Sequence, residues 1–103
     1  MPDKATVINV VERYAQAVTR EFKPHFILLY GSYATGNARE ESDIDVAVVF
    51  DGYKGEWLKD SARLWKLAFA VNHDIEPILV DSTKDRSGFV ADIFKTGQVI
   101  YRA

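Results

Sequence analysis

An α+β fold is what this sequence predicts: a small mixed or antiparallel sheet with helices packed on it, in the order α-β-β-α-β-α-(β). Three observations predict it. Two long segments repeat their apolar residues at helical spacing. Three short apolar runs, each followed by turn residues, read as strands. Only about a dozen residues join the first two strands, which is short for a parallel crossover, so that pair is expected to run antiparallel or to sit in a mixed sheet.

The first helix carries Val7, Val11, Tyr14, Val18 and Phe22 at helical spacing, with Glu12, Arg13 and Arg20 between them, and is expected to end before Pro24. "FILLY" (Phe26–Tyr30) reads as a buried strand broken by Gly31. A short helical turn should open the next segment from Ser32, with a loop after Gly36. "DIDVAVVF" (Asp43–Phe50) is the second strand, ended by "DGYKG". The long helix spans roughly Glu56 to Val71; Leu58, Ala62, Trp65 and Phe69 form its expected core stripe, widened by Leu64, Leu67 and Val71. "HDIEPILVD" (His73–Asp81) is a third strand whose internal Pro77 suggests an edge or a bulge. Ser87 can cap a last short helix bearing Val90, Ile93 and Phe94, with Gly97 just past its end and "QVIY" as a final extended piece.

A chain of 103 residues predicts a single domain, 1–103. Lys and Arg total 13 against 15 Asp and Glu, and no basic run occurs, so strong nucleic-acid binding by phosphate neutralisation is not expected. Cysteine is absent, which excludes a disulfide framework, a thiol nucleophile and Cys-based zinc. The N-terminal residues lack a signal-peptide pattern, and no apolar run approaches a membrane span. A soluble cytoplasmic protein is the expectation.

The chemistry concentrates where the second strand begins. Side chains alternate across a strand, so Asp43 and Asp45 face one side while Ile44 and Val46 face the other. Their Cα atoms should lie roughly 6–7 Å apart. Two carboxylates converging from that spacing suit a hard divalent cation such as Mg²⁺, which favours oxygen ligands and is often held together with substrate phosphates. The third strand repeats the pattern with Asp74 and Glu76, and either can complete a three-carboxylate cluster of the kind that serves two metal ions. Upstream, Gly31 allows close backbone approach, and a helical turn opening at Ser32 would present N–H groups to an anion.

These residues carry a family resemblance. "GSYATGNAREESDID" resembles the signature of the nucleotidyltransferases with the DNA polymerase β fold: Gly-Ser, a spacer of about ten residues, then Asp-x-Asp on a strand. The small size and the "SDIDVAVV" continuation are similar to the minimal nucleotidyltransferase (MNT) proteins, over Phe26 to about Tyr101. The resemblance implies that Gly31 and Ser32 bind the nucleoside triphosphate, and that Asp43, Asp45 and a third acid hold two Mg²⁺ ions. "DIEP" resembles members with Glu at the third-acid place, which favours Glu76 over Asp74. It further implies transfer of a nucleoside monophosphate, AMP from ATP, to an acceptor hydroxyl. MNT proteins are often antitoxins of HEPN-type ribonuclease toxins, some modifying the toxin and some masking it. One position departs: Thr35 stands where many members have arginine, with Arg39 nearby as another source of charge.

Other readings fit less well. Haloacid-dehalogenase-type phosphatases place Asp-x-Asp after an apolar strand, whereas "VAVVF" follows it here. Metal-dependent glycosyltransferases need a much larger domain. His25 and His73 read as strand-edge residues, and Trp57 and Trp65 as core or interface packing. The two Trp and five Tyr supply anchors for a protein interface, with a partner or in a homo-oligomer.

Overall fold

The structure is a computed structural model that describes residues 3–36 and 43–103. Its elements are α1 (Lys4–Thr19), β1 (Phe26–Tyr30), α2 (Ser32–Thr35), β2 (Ile44–Phe50), α3 (Trp57–Val71), β3 (Ile75–Asp81), a 3-10 turn (Ser82–Lys84), α4 (Phe89–Thr96) and β4 (Gln98–Arg102). The strands form one mixed sheet in the order β3-β2-β1-β4. β1 runs antiparallel to β2 and to β4, and β2 runs parallel to β3. The predicted class and element order hold, and Pro77 lies on an edge strand of the sheet.

Strand alternation sorts the apolar residues onto two faces. Ile27, Leu29, Ile44, Val46, Val48, Ile75 and Leu79 pack with α1 and α3. Leu28, Ala47, Val49 and Val80 pack with Val90 and Ile93 of α4. The helix α1 starts at Asp3, whose carboxylate accepts from the Thr6 N–H at 2.8 Å. It buries Val7, Val11, Tyr14 and Val18, four of the five predicted stripe residues. Phe22 lies beyond its end and still packs on the core. The helix stops at Thr19, short of Pro24, because the Val18 carbonyl accepts the N–H groups of both Glu21 and Phe22 in a tightened last turn.

Two other expectations are corrected. The stripe Leu58, Ala62, Trp65 and Phe69 faces solvent, and Leu64 and Ala68 are the buried residues of α3. At 100° per residue the exposed stripe lies roughly 80–140° round the helix from that inward direction. The helix carries two apolar stripes, and the sheet takes the one whose small Ala68 permits close packing. At α4, Gly88 occupies the cap position; Ser87 Oγ accepts from Phe89 N at 3.3 Å, while the Asp85 carboxylate accepts from Val90 N and Ala91 N.

Polar contacts reinforce the long-range packing. Asp81 closes the far end of the parallel pair: its carboxylate accepts from Gly52 N, Tyr53 N, Thr83 N and Thr83 Oγ1. Those bonds, Thr83 foremost, hold its pKa down at about 2. Tyr14 is fully buried and donates its phenol O–H to the Leu64 carbonyl at 3.0 Å, joining α1 to α3. Burial pushes that phenol well above its usual range. Tyr14→Phe should therefore cost about 0.5–1.5 kcal/mol in urea unfolding, the net worth of one hydrogen bond, with no change in the unfolding slope.

Candidate active site

The site grows from the strand register. Tyr30 pairs with Asp45, and Asp45 pairs with Glu76, so these three side chains stand side by side on the face that α4 covers. The cover ends at Phe89, whose ring meets Tyr30 edge-on with centroids 5.8 Å apart. Beyond it, this corner of the sheet is open. Asp43 precedes β2 and is exposed; Asp45 is half-buried; Glu76 is exposed on the edge strand.

The carboxylates sense one another. Partial burial, then the Asp43 charge, raises the Asp45 pKa. Partial burial, the charges of Asp43 and Asp45, and a hydrogen bond with Asp43 raise Glu76. Burial and the charges of Asp45 and Glu76 push the Tyr30 phenol up to about 12. Asp74 lies outside this group. It precedes β3, its carbonyl accepts the Ile44 N–H at 2.8 Å, and its carboxylate faces His73 at 3.6 Å.

Gly31 and Ser32 adjoin the acids from the β1 side. Gly31 caps α2 with φ 74° and ψ −151°, a conformation that side chains disfavour. A Cβ there would also collide with the Asp45 carboxylate, so the glycine makes room for the acid. Within α2 the Thr35 N–H and Oγ1 both bond the Gly31 carbonyl, each at 3.2 Å, which closes the turn. Arg39 lies outside the described residues. His25 stands at the opposite sheet end, where its Nδ1 accepts the Asp51 N–H at 3.3 Å.

The donor set suits a hard cation: carboxylate oxygens coupled closely enough to raise two of their pKa values. Among the described residues, no group of three or more His, Cys, Asp or Glu side chains is placed to hold a metal ion as they stand. The fit is thus one of chemistry, with an open geometry that a phosphate would have to complete.

A feature that sequence reading missed adjoins this corner. A groove of about 340 Å³ runs round the outer edge of β3, with Tyr30, Asp45 and Glu76 at one end and Trp57, Ser61 and Trp65 of α3 at the other. The signal was present in the spacing of the two tryptophans, but it does not distinguish core from surface.

Known proteins match this chain in sequence and in fold. A family model described as polymerase beta, nucleotidyltransferase matches residues 12–103. Two Methanocaldococcus jannaschii proteins, provisionally named protein adenylyltransferases, are similar to the chain. One is 27% identical over 97 residues, covering 90% of this chain and 96% of its own length. The other is 26% identical over 97 residues, covering 88% and 95%. A crystal structure of a provisionally named nucleotidyltransferase from Sulfolobus solfataricus matches with a TM-score of 0.70 at 19% identity, covering 96% of this chain and 83% of that one. A toxin-antitoxin crystal structure with AMP-PNP matches at 0.67 and 23% identity, covering 93% and 73%. The toxin-antitoxin pair MntA-HpeT, in a variant with two aspartates two positions apart changed to glutamate, matches at 0.66 and 22%, with the same coverage.

Two outcomes are expected at this corner. Gly31→Ala should destabilise the fold by roughly 1–3 kcal/mol in chemical denaturation, the cost of a side chain in that backbone region, and should displace Asp45. Asp45→Asn should raise the melting temperature of the metal-free protein by a few degrees. The raised Asp45 pKa means that the folded state holds this proton more tightly than the unfolded state does. Stability from this group is therefore lost as pH rises through the raised value, and the neutral amide removes that loss. Melting curves of parent and variant should converge as pH falls below the usual carboxylate value of 3.8.

Proposed function

The chain belongs to the polymerase β nucleotidyltransferase family, and from that premise we propose that it transfers AMP from ATP to a hydroxyl on a protein partner. The observation that carries the reading is the alignment of three pieces across adjacent strands: Gly31-Ser32 after β1, Asp45 on β2 and Glu76 on β3. The M. jannaschii relatives named protein adenylyltransferases support the protein acceptor. The toxin-antitoxin neighbours, one with AMP-PNP, support an antitoxin role. A HEPN-type toxin is the partner class that the sequence resemblance implies.

In this reading Gly31 and the N–H groups of the α2 turn receive the triphosphate. Asp43, Asp45 and Glu76 would hold the two Mg²⁺ ions. Bound Mg²⁺ would neutralise phosphate charge and lower the pKa of the acceptor hydroxyl. The acceptor oxygen attacks the α-phosphorus as its bond to the pyrophosphate oxygen breaks, and the proton leaves to water at the open edge. Tyr30, packed on Phe89, walls the site on the α4 side.

A second reading has its own observation. Large apolar side chains exposed on α3 favour a module that masks its partner by binding alone. Labelled ATP, Mg²⁺ and the purified product of the adjacent gene separate the two. Transfer should label that protein, and Asp43→Asn/Asp45→Asn should reduce labelling by more than about 100-fold, since losses around metal ligands alone cost 10–100-fold. Absence of transfer by the parent, with binding and silencing intact in the double variant, would establish masking instead.

A further inference from the structure

We infer that the exposed stripe of α3 docks a helix of the acceptor protein, one that is apolar along its inner face and acidic along its flank. This rests on the transfer reading above and assigns the surface that presents the acceptor. Trp57 is 53% exposed, Leu58 79%, Trp65 47% and Phe69 73%, a cluster of large apolar side chains on one helix. Leu58, Trp65 and Phe69 fall in one line along it, with exposed Ala62 leaving a dip between them. An apolar strip of this kind, rimmed by polar residues, marks a protein contact.

Its position says which contact. The proposed phosphate site lies at the β1 side of the carboxylates, and Glu76 lies on the outermost strand at the other side. An in-line acceptor must therefore arrive across β3. The groove round that edge joins Glu76 to Trp57 and Trp65, so the stripe and the carboxylates are two ends of one depression. At the groove's α3 end, Ser61 Oγ is buried without a hydrogen-bond partner among the described residues. A polar group reaching between the tryptophans would satisfy it.

Chemistry narrows the occupant. Pro77 offers no N–H in the middle of the edge strand, which disfavours an added strand and favours side chains inserting from a helix. Lys59 and Lys66 flank one side of the stripe; among the described residues Lys59 pairs with Glu56, at 4.0 Å, and both cations are exposed. Asp60 is engaged by the Tyr53 O–H and Glu21 by Arg63, so Lys59 and Lys66 leave that flank basic on a chain whose net charge is −2. An acidic flank on the partner complements it. A two-fold pairing of this chain with itself would instead bring both copies' lysines to one seam.

Leu58→Glu/Phe69→Glu alters the stripe outside the groove and the carboxylate corner. Binding of the purified product of the adjacent gene, measured by calorimetry, should weaken by at least about 30-fold, the loss expected from removing two anchors. Lys59→Glu/Lys66→Glu should weaken it too, and more at low salt than at high. Affinity for AMP-PNP with Mg²⁺ should stay within about twofold of the parent, because neither pair lies in the site. Loss of binding without any AMP transfer by the parent would keep the docking surface and sink only the transfer reading. Parent-like binding by both variants, or no binding by the parent, would overturn the inference. So would a parent dimer in sedimentation that Leu58→Glu/Phe69→Glu dissociates.

Discussion

The parallel pairing of β2 with β3 is the constraint on which the rest of the structure depends. A parallel pair cannot be joined by a tight turn, so the chain must cross over the sheet, and α3 is that crossover. The same register sets Asp45 opposite Glu76 and makes β3 an edge. Shifting it by one residue would send Glu76 to the α3 side and break the carboxylate cluster. Asp81 closes the pair at one end through its bonds to Gly52, Tyr53 and Thr83, and Asp74 starts it at the other by accepting from Ile44. The acids that look redundant in the sequence thus split into those that build the pair and those that it presents.

The corner it creates is electrostatically unfavourable. The Asp43 charge adds to burial in raising Asp45, the charges of Asp43 and Asp45 do the same for Glu76, and the backbone at Gly31 gives way to the Asp45 carboxylate. Both come at some expense to the fold. Stability is supplied elsewhere, by the two apolar layers on either side of the sheet and by the buried Tyr14 bond between α1 and α3.

Much of this was legible in the sequence. "FILLY" and the strand begun by Asp43-x-Asp45 are bounded by strong breakers, so β1 and β2 read almost to the residue. The short α2 turn followed from Ser32 to Gly36, and the closing β4 from "QVIY". The end of α1 was harder, since the Val18 carbonyl terminates it through bonds that no residue type announces. The cap of α4 was missed in part because Asp85 reaches its N–H groups from outside the capping position.

Periodicity and spacing determined which residues share a face: Asp43 with Asp45, and Leu58 with Trp65 and Phe69. The expectation of a carboxylate site came from them as well, because residue type and spacing are local properties. What each face meets was decided by the tertiary structure. Glu76 joined Asp45 because the register put them side by side, while Asp74 fell before the strand and faced His73. Leu64 and Ala68, not Trp65 and Phe69, took the inward side of α3 because the crossover sets the helix's rotation on the sheet. An apolar stripe states that something should cover it, but only the packed molecule shows whether the chain itself does.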